Sequence, residues 1–223
     1  MNSLFTEELR GRLRQVGVVA VLVVDQVGDA VPLAKTLVEA GVDIMELTLR
    51  TPAALEALRL VRKEVPQMIC GIGTILTPEQ VKQVVEAGAA FGVAPGINRR
   101  VVEQALRARL PFAPGVATPS DIEMALEYGC RILKFFPAES CGGMPYLKNM
   151  AAPYGHLGLR YMPLGGINAG NMKAYLADPM VIALGGSWIA PRDLIQQKDW
   201  KTIHKNAREA REIVEQVRKG ETQ

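Results

Sequence analysis

One pattern recurs along the chain and limits what it can fold into. A short, almost wholly apolar run stops at glycine, proline or a polar residue; a turn follows; then comes an amphipathic helix, often closed by glycine. The runs occupy 18–24, 44–49, 68–73, 91–94, 111–113, 132–136, 160–164 and 181–184. Helices are predicted over about 30–40, 51–65, 77–87, 99–109, 118–129, 146–152 and 169–176, with one helix before the first run and a long one closing the chain. Three of them open on Thr-Pro (Thr51-Pro52, Thr77-Pro78, Thr118-Pro119), where a hydroxyl can cap and a proline can take the first helical position without losing a hydrogen bond. Gln80, three residues after Thr77, completes a capping box. Gly41 is predicted to close the first of these helices, and Gly88 and Gly129 follow two others.

Strands alternating with helices imply right-handed crossovers and a parallel sheet. Runs with no polar face fit strands covered on both sides. About eight such units in 223 residues predict a single (β/α)8 barrel spanning 1–223, with an N-terminal helix and a long C-terminal helix. An open doubly wound sheet is the alternative, and the missing G-x-G-x-x-G after the first run speaks against it.

Composition removes other classes. The net charge is only +3, and the most basic stretch, 198–219, is interleaved with Asp199, Glu209, Glu212 and Glu215, a solvated helix face rather than a nucleic-acid surface. The longest apolar run is too short to span a bilayer, and 1–13 carries Glu7, Glu8, Arg10 and Arg12 where a signal peptide needs an apolar centre. Cys70, Cys130 and Cys141 are odd in number and widely spaced, which fits a reducing, cytoplasmic setting and core packing. His156 and His204 stand in unrelated contexts, so no metal site is predicted and no cofactor is called for.

Chemistry is expected where polar side chains interrupt the runs. In the second run Glu46, Thr48 and Arg50 share one parity, and Met45, Leu47 and Leu49 the other. A carboxylate inside a strand buried on both faces is costly, so Glu46 reads as functional rather than as half of a surface salt bridge. Lys134 sits in Ile-Leu-Lys-Phe-Phe-Pro. Its head could snorkel to water. The alternative is an amine desolvated by apolar neighbours, whose neutral form becomes available as a nucleophile. Thr74 follows the third run at the rim. Gly165-Gly166 after the seventh run and Gly185-Gly186-Ser187 after the eighth read as turns whose N–H groups, with the following helix N-termini, can hold a phosphate.

A lysine nucleophile suits a carbonyl substrate, arginine suits a carboxylate, and the glycine loops suit a phosphate. The substrate is therefore expected to be a 2-oxo acid carrying a distant phosphate. The competing readings are a sugar-phosphate isomerase or epimerase on the same barrel, and a non-catalytic sensor of phosphorylated sugar acids. The segments Glu-Leu-Thr-Leu-Arg-Thr at 46–51, Gly-Ile-Gly-Thr at 71–74, Pro-Gly-Val-Ala-Thr-Pro-Ser at 114–120, Lys-Phe-Phe-Pro-Ala-Glu at 134–139 and Gly-Gly-Ser-Trp at 185–188 occur in order over nearly the whole chain.

Together these segments resemble the 2-keto-3-deoxy-6-phosphogluconate (KDPG) and 4-hydroxy-2-oxoglutarate aldolase family. The resemblance implies a class I aldolase, a carbon–carbon lyase needing no cofactor, folded as a (β/α)8 barrel, cytoplasmic and homotrimeric. It implies Lys134 as the imine-forming residue and Glu46 as the general acid/base. Arg50 and Thr74 would hold the substrate carboxylate, and Gly165, Gly166, Gly186 and Ser187 the phosphate. Pro95, Phe136 and Leu164 would line the pocket. Leu164 and Ala94 stand where the family commonly has threonine and serine, differences that bear on substrate preference.

Overall fold

The computed structural model describes residues 4–220. Helix α1 (Glu7–Val16) precedes β1 (Val18–Leu22), α2 (Ala30–Glu39), β2 (Ile44–Thr48), α3 (Ala54–Glu64), β3 (Ile69–Gly73), α4 (Pro78–Glu86), β4 (Phe91–Val93), α5 (Arg99–Arg107) and β5 (Phe112–Ala113). The second half runs β6 (Gly115–Val116), α6 (Pro119–Glu127), β7 (Ile132–Phe135), α7 (Gly143–Ala151), β8 (Arg160–Pro163), α8 (Met172–Leu176), β9 (Leu184–Gly186), α9 (Arg192–Gln196) and α10 (Trp200–Gly220).

Every strand pairing is parallel, and the sheet is curled with helices outside it. Six strands pair in the order β5-β4-β3-β2-β1-β9, and three more in the order β6-β7-β8. The runs are buried on both faces, as their apolar composition predicts: β1 and β2 are buried at every residue. The strand expected at 111–113 is β5; Pro114, which has no N–H to donate to a ladder, separates it from β6, a short strand the sequence reading does not expect. β5 pairs with β4, whereas β6 pairs with β7. At the other junction, isolated parallel bridges join Tyr161 to Val181 and Leu164 to Gly185.

Helix starts follow their caps where the hydroxyl is free to cap. Thr77 and Thr118 both close capping boxes, with Gln80 and Asp121 as the returning side chains. Thr51 does not cap. Its hydroxyl donates to Val24 O at 2.6 Å, and the helix begins only at Ala54. Gly41, at φ 86, stands one residue past the C-cap Ala40. The helix expected over 169–176 is shortened to α8 because Asn168 and Asn171 hold the preceding turn: Asn168 N donates to Asn171 Oδ1 at 2.8 Å, and Asn171 Nδ2 to Gly166 O at 3.0 Å. α7 starts at Gly143, earlier than expected, after the left-handed Gly142. The last strand is shifted to Leu184–Gly186, so Gly185 and Gly186 pair with Val19 and Ala20 instead of forming a turn.

Cys70 and Cys130 are buried core residues, whose burial pushes the thiols up to about 12 and about 11, and Cys141 is half-buried. Among the described residues no helix is long and apolar enough to cross a membrane. In Thr77→Ala, Gln80 N loses its 3.2 Å bond to the Thr77 hydroxyl. Urea unfolding of this variant is expected to show a loss of about 1 kcal/mol with an unchanged denaturant slope.

Candidate active site

The C-terminal ends of the strands surround a cavity of about 360 Å³. Its floor is a carboxylate and an amine. Glu46, in the middle of β2, is 1% exposed and Lys134, in β7, is 5% exposed. Lys134 Nζ donates to Glu46 Oε1 at 3.3 Å. Glu46 Oε2 is buried with no hydrogen-bond partner among the described residues. The Phe136 ring, on the same face of its strand as Lys134, lies 5.5 Å from Nζ. The surroundings of the amine are thus not only apolar, as its neighbours in sequence suggest. An ion pair holds it as well.

Glycine makes room for that pair. A Cβ on Gly73 would stand 1.7 Å from Glu46 Oε1, so any larger residue there would displace the carboxylate oxygen that meets the lysine. Gly71 similarly admits the Phe91 ring beneath it.

Arg50 and Thr74 reach the cavity from the exits of β2 and β3. Thr74 has φ 63, in the left-handed region. A β-branched residue there is strained, and strain of this kind gathers where a site needs a side chain in one place. Arg50 Nε donates to Thr48 Oγ1 at 3.2 Å, and the Thr48 hydroxyl donates to Leu22 O at 3.0 Å.

Val21, Pro95, Phe136 and Leu164 give the cavity its apolar lining. Leu164 fits because Gly185 lacks a side chain; a Cβ there would lie 2.3 Å from the leucine Cγ. Gly165 and Ser187 complete the lining at the exits of β8 and β9. The left-handed glycines Gly165 (φ 94) and Gly166 (φ 81) form a turn, but Gly166 does not line the cavity. Neither does Gly186, which is inside β9 with its side-chain position facing the Trp188 ring. The expected helix dipoles do not begin at these glycines either, since α8 and α9 start only at Met172 and Arg192.

The cavity therefore gathers Lys134, Glu46, Arg50, Thr74, Gly165, Ser187, Pro95, Phe136 and Leu164 as the sequence reading expects. It adds two residues that reading does not assign, Val21 and Thr48, and includes Gly185 of the glycine pair expected after the eighth run. Thr48 shares the parity of Glu46 and Arg50, which is a usable signal. Val21 carries none, being an ordinary member of an apolar run. His156 and His204 are outside the cavity, and among the described residues no cluster of His, Cys, Asp and Glu could hold a metal ion.

The rim is tied across the β1 and β9 exits. Arg192 grips Asp25 with Nε at 2.9 Å and an Nη at 2.6 Å, and Gln196 adds a bond at 2.8 Å. These donors hold the Asp25 carboxyl down at about 2, against an ordinary 3.8. A depressed carboxyl stabilises the fold above its unfolded value and loses that contribution as pH falls through its folded value. Wild type is therefore expected to exceed Asp25→Asn in melting temperature by a constant amount above about pH 4. That margin should shrink between about pH 4 and pH 2, as thermal unfolding across this range will show.

Residues 9–206 match the model of the KDPG and KHG aldolase family. A KHG/KDPG aldolase of Escherichia coli (strain K12) is 43% identical over 193 residues, 86% of this chain and 90% of that protein. A 2-dehydro-3-deoxy-phosphogluconate aldolase of Haemophilus influenzae is 40% identical over 212 residues, 95% of this chain and 99% of that protein. Among solved structures, the KDPG aldolase of Legionella pneumophila, with pyruvate captured as a covalent carbinolamine intermediate, superposes with a TM-score of 0.85 at 37% identity, covering 89% of this chain and 96% of that one. The Zymomonas mobilis ZM4 enzyme with 3-phosphoglycerate gives 0.82 at 38% identity, covering 90% and 93%. With this match along nearly its whole length, the chain belongs to the KDPG and KHG aldolase family.

Proposed function

We propose that the protein is a class I aldolase that cleaves 2-dehydro-3-deoxy-6-phosphogluconate to pyruvate and D-glyceraldehyde 3-phosphate. A second substrate in this reading is 4-hydroxy-2-oxoglutarate, cleaved to pyruvate and glyoxylate. The observation that carries the proposal is the buried contact of Lys134 with Glu46 at 3.3 Å on the floor of a cavity that also presents a guanidinium. A sensor would have no need of a buried amine beside a carboxylate with one oxygen unpartnered, and an isomerase would have no need of the amine.

In this mechanism Arg50 and Thr74 hold the substrate carboxylate, which sets C2 over Lys134. The amine passes a proton to Glu46 and attacks C2, giving a carbinolamine; Glu46 returns that proton to the departing hydroxyl, so water leaves, the protonated imine forms and the carboxylate is restored. Glu46 then takes the C4 hydroxyl proton. The C3–C4 bond breaks, its electrons flow into the protonated imine, and the aldehyde leaves. Protonation of the resulting enamine at C3 and hydrolysis release pyruvate and restore the amine. Both products and the water are accounted for, and no redox step is needed. Gly165 and Ser187 take the phosphate through backbone N–H and hydroxyl donors, with Gly166 and Gly186, outside the lining, shaping the turn and the strand exit beside them. Val21, Pro95, Phe136 and Leu164 keep water from the imine.

We further read the two sheets as one (β/α)8 barrel of a single domain, β5 and β6 being halves of one strand broken at Pro114. Three features support this: the bridges from β8 and its exit to the last strand, the shared segment at Pro114, and the meeting of side chains from β2 and β7, which belong to different sheets. The family resemblance extends the proposal to a cytoplasmic homotrimer, and sedimentation equilibrium checks the assembly with a trimer mass expected.

Borohydride reduction in the presence of pyruvate should attach a reduced pyruvate to Lys134, read by peptide mass spectrometry. A folded protein that gains no adduct there would falsify the mechanism. Glu46→Gln is expected to lower kcat by about 10²–10⁴-fold and to slow borohydride trapping of the lysine as well, since the same carboxylate serves imine formation. Gly73→Ala, by pushing the carboxylate away from Nζ, should cost on the order of 10² in kcat/KM with normal far-UV circular dichroism.

A further inference from the structure

Arg50 is exposed and sits just beyond the end of β2, where a long flexible side chain has many rotamers. What restrains it is one buried hydroxyl. Thr48 is 3% exposed, and its two hydrogen bonds have fixed directions. The hydroxyl proton goes to Leu22 O on the neighbouring strand, at 3.0 Å. The oxygen is therefore left as an acceptor, and Arg50 Nε donates to it at 3.2 Å. A backbone carbonyl of β1 thus orients the threonine, and the threonine orients the guanidinium.

The consequence concerns which edge of Arg50 is offered to a ligand. A guanidinium has two kinds of bidentate edge, one built from Nε with an Nη, the other from the two Nη groups. With Nε committed to Thr48, only the outer Nη–Nη edge remains for a carboxylate. We propose that Thr48 is a positioning residue for the reaction, acting through Arg50 by occupying Nε, so that the substrate carboxylate is gripped end-on by the two Nη groups. This rests on the aldolase reading, in which Arg50 meets the carboxylate. The expected signature is a binding defect confined to the pyruvate end of the substrate.

The test uses pyruvate alone, following exchange of its C3 hydrogens in D₂O by NMR and borohydride trapping on Lys134. Thr48→Val keeps the branched shape and loses the hydroxyl. It is expected to raise the KM for pyruvate exchange about tenfold, the size of a lost charge-assisted hydrogen bond, with the rate at saturating pyruvate changed much less. Thr48→Ser should restore KM to near the wild-type value, and Thr48→Val should add nothing in an Arg50→Ala background. If Thr48→Val does not fold, Thr48→Ala enters the same comparisons. A purely structural role predicts a lower melting temperature at constant KM. That result, an unrescued serine variant, or full additivity with Arg50→Ala overturns the inference. Wild-type protein that neither exchanges pyruvate nor traps it overturns the aldolase reading itself, a failure distinguishable because it needs no Thr48 variant.

Discussion

The site depends on the ion pair between Lys134 and Glu46, two charges taken out of water and left within 3.3 Å of each other. Burying either alone would cost several kcal/mol, and together they offset part of that cost only while their geometry holds. A hydrophobic pair of similar volume would serve stability as well or better. The pair is therefore evidence of function more than of stability, and its demands explain much of the architecture around it. β2 carries the acid at its centre, β7 carries the amine, and their sheets must curl until the two side chains meet.

Space for this arrangement comes from missing side chains. Gly73 leaves room for the Glu46 carboxylate, Gly71 for the Phe91 ring, Gly185 for Leu164, and Gly115 for the backbone of Pro95, which a Cβ would meet at 2.2 Å. Glycine in a strand weakens it, because the residue loses more entropy and packs nothing. Here each one is repaid by a larger residue from a neighbouring strand or loop. Two of these neighbours, Leu164 and Pro95, are cavity walls, as is Gly185 itself, so the glycines set the shape of the site.

The polar half of the cavity is ordered in a chain of short-range contacts. β1 offers a carbonyl, Thr48 reads it, and Arg50 is fixed by Thr48. Thr74 is held in a left-handed backbone that its own side chain disfavours. The apolar half has no such network. Leu164 offers shape without a hydrogen bond, so under the proposed function the middle of the substrate is selected sterically while its two ends are recognised by polar groups.

Much of this was legible from the chain alone, because the signals are local. Period-two parity put Glu46, Thr48 and Arg50 on one face of a strand. Alternation of apolar runs and capped helices gave the parallel sheet, and Lys134 stood out as the charge in an apolar run. The misreadings are local signals overruled by contacts distant in sequence. Thr51 was drawn away from its helix by Val24 O, and Gly185-Gly186 was drawn into a strand by pairing with Val19 and Ala20. The meeting of Lys134 with Glu46, 88 residues apart, was decided only by the tertiary structure, as was the choice of Val21 as cavity wall. Propensity, parity and capping are properties of neighbouring residues and can be read in one dimension. Which side chains face each other across a curled sheet depends on strand register and curvature, and these are fixed by packing among segments far apart in the chain.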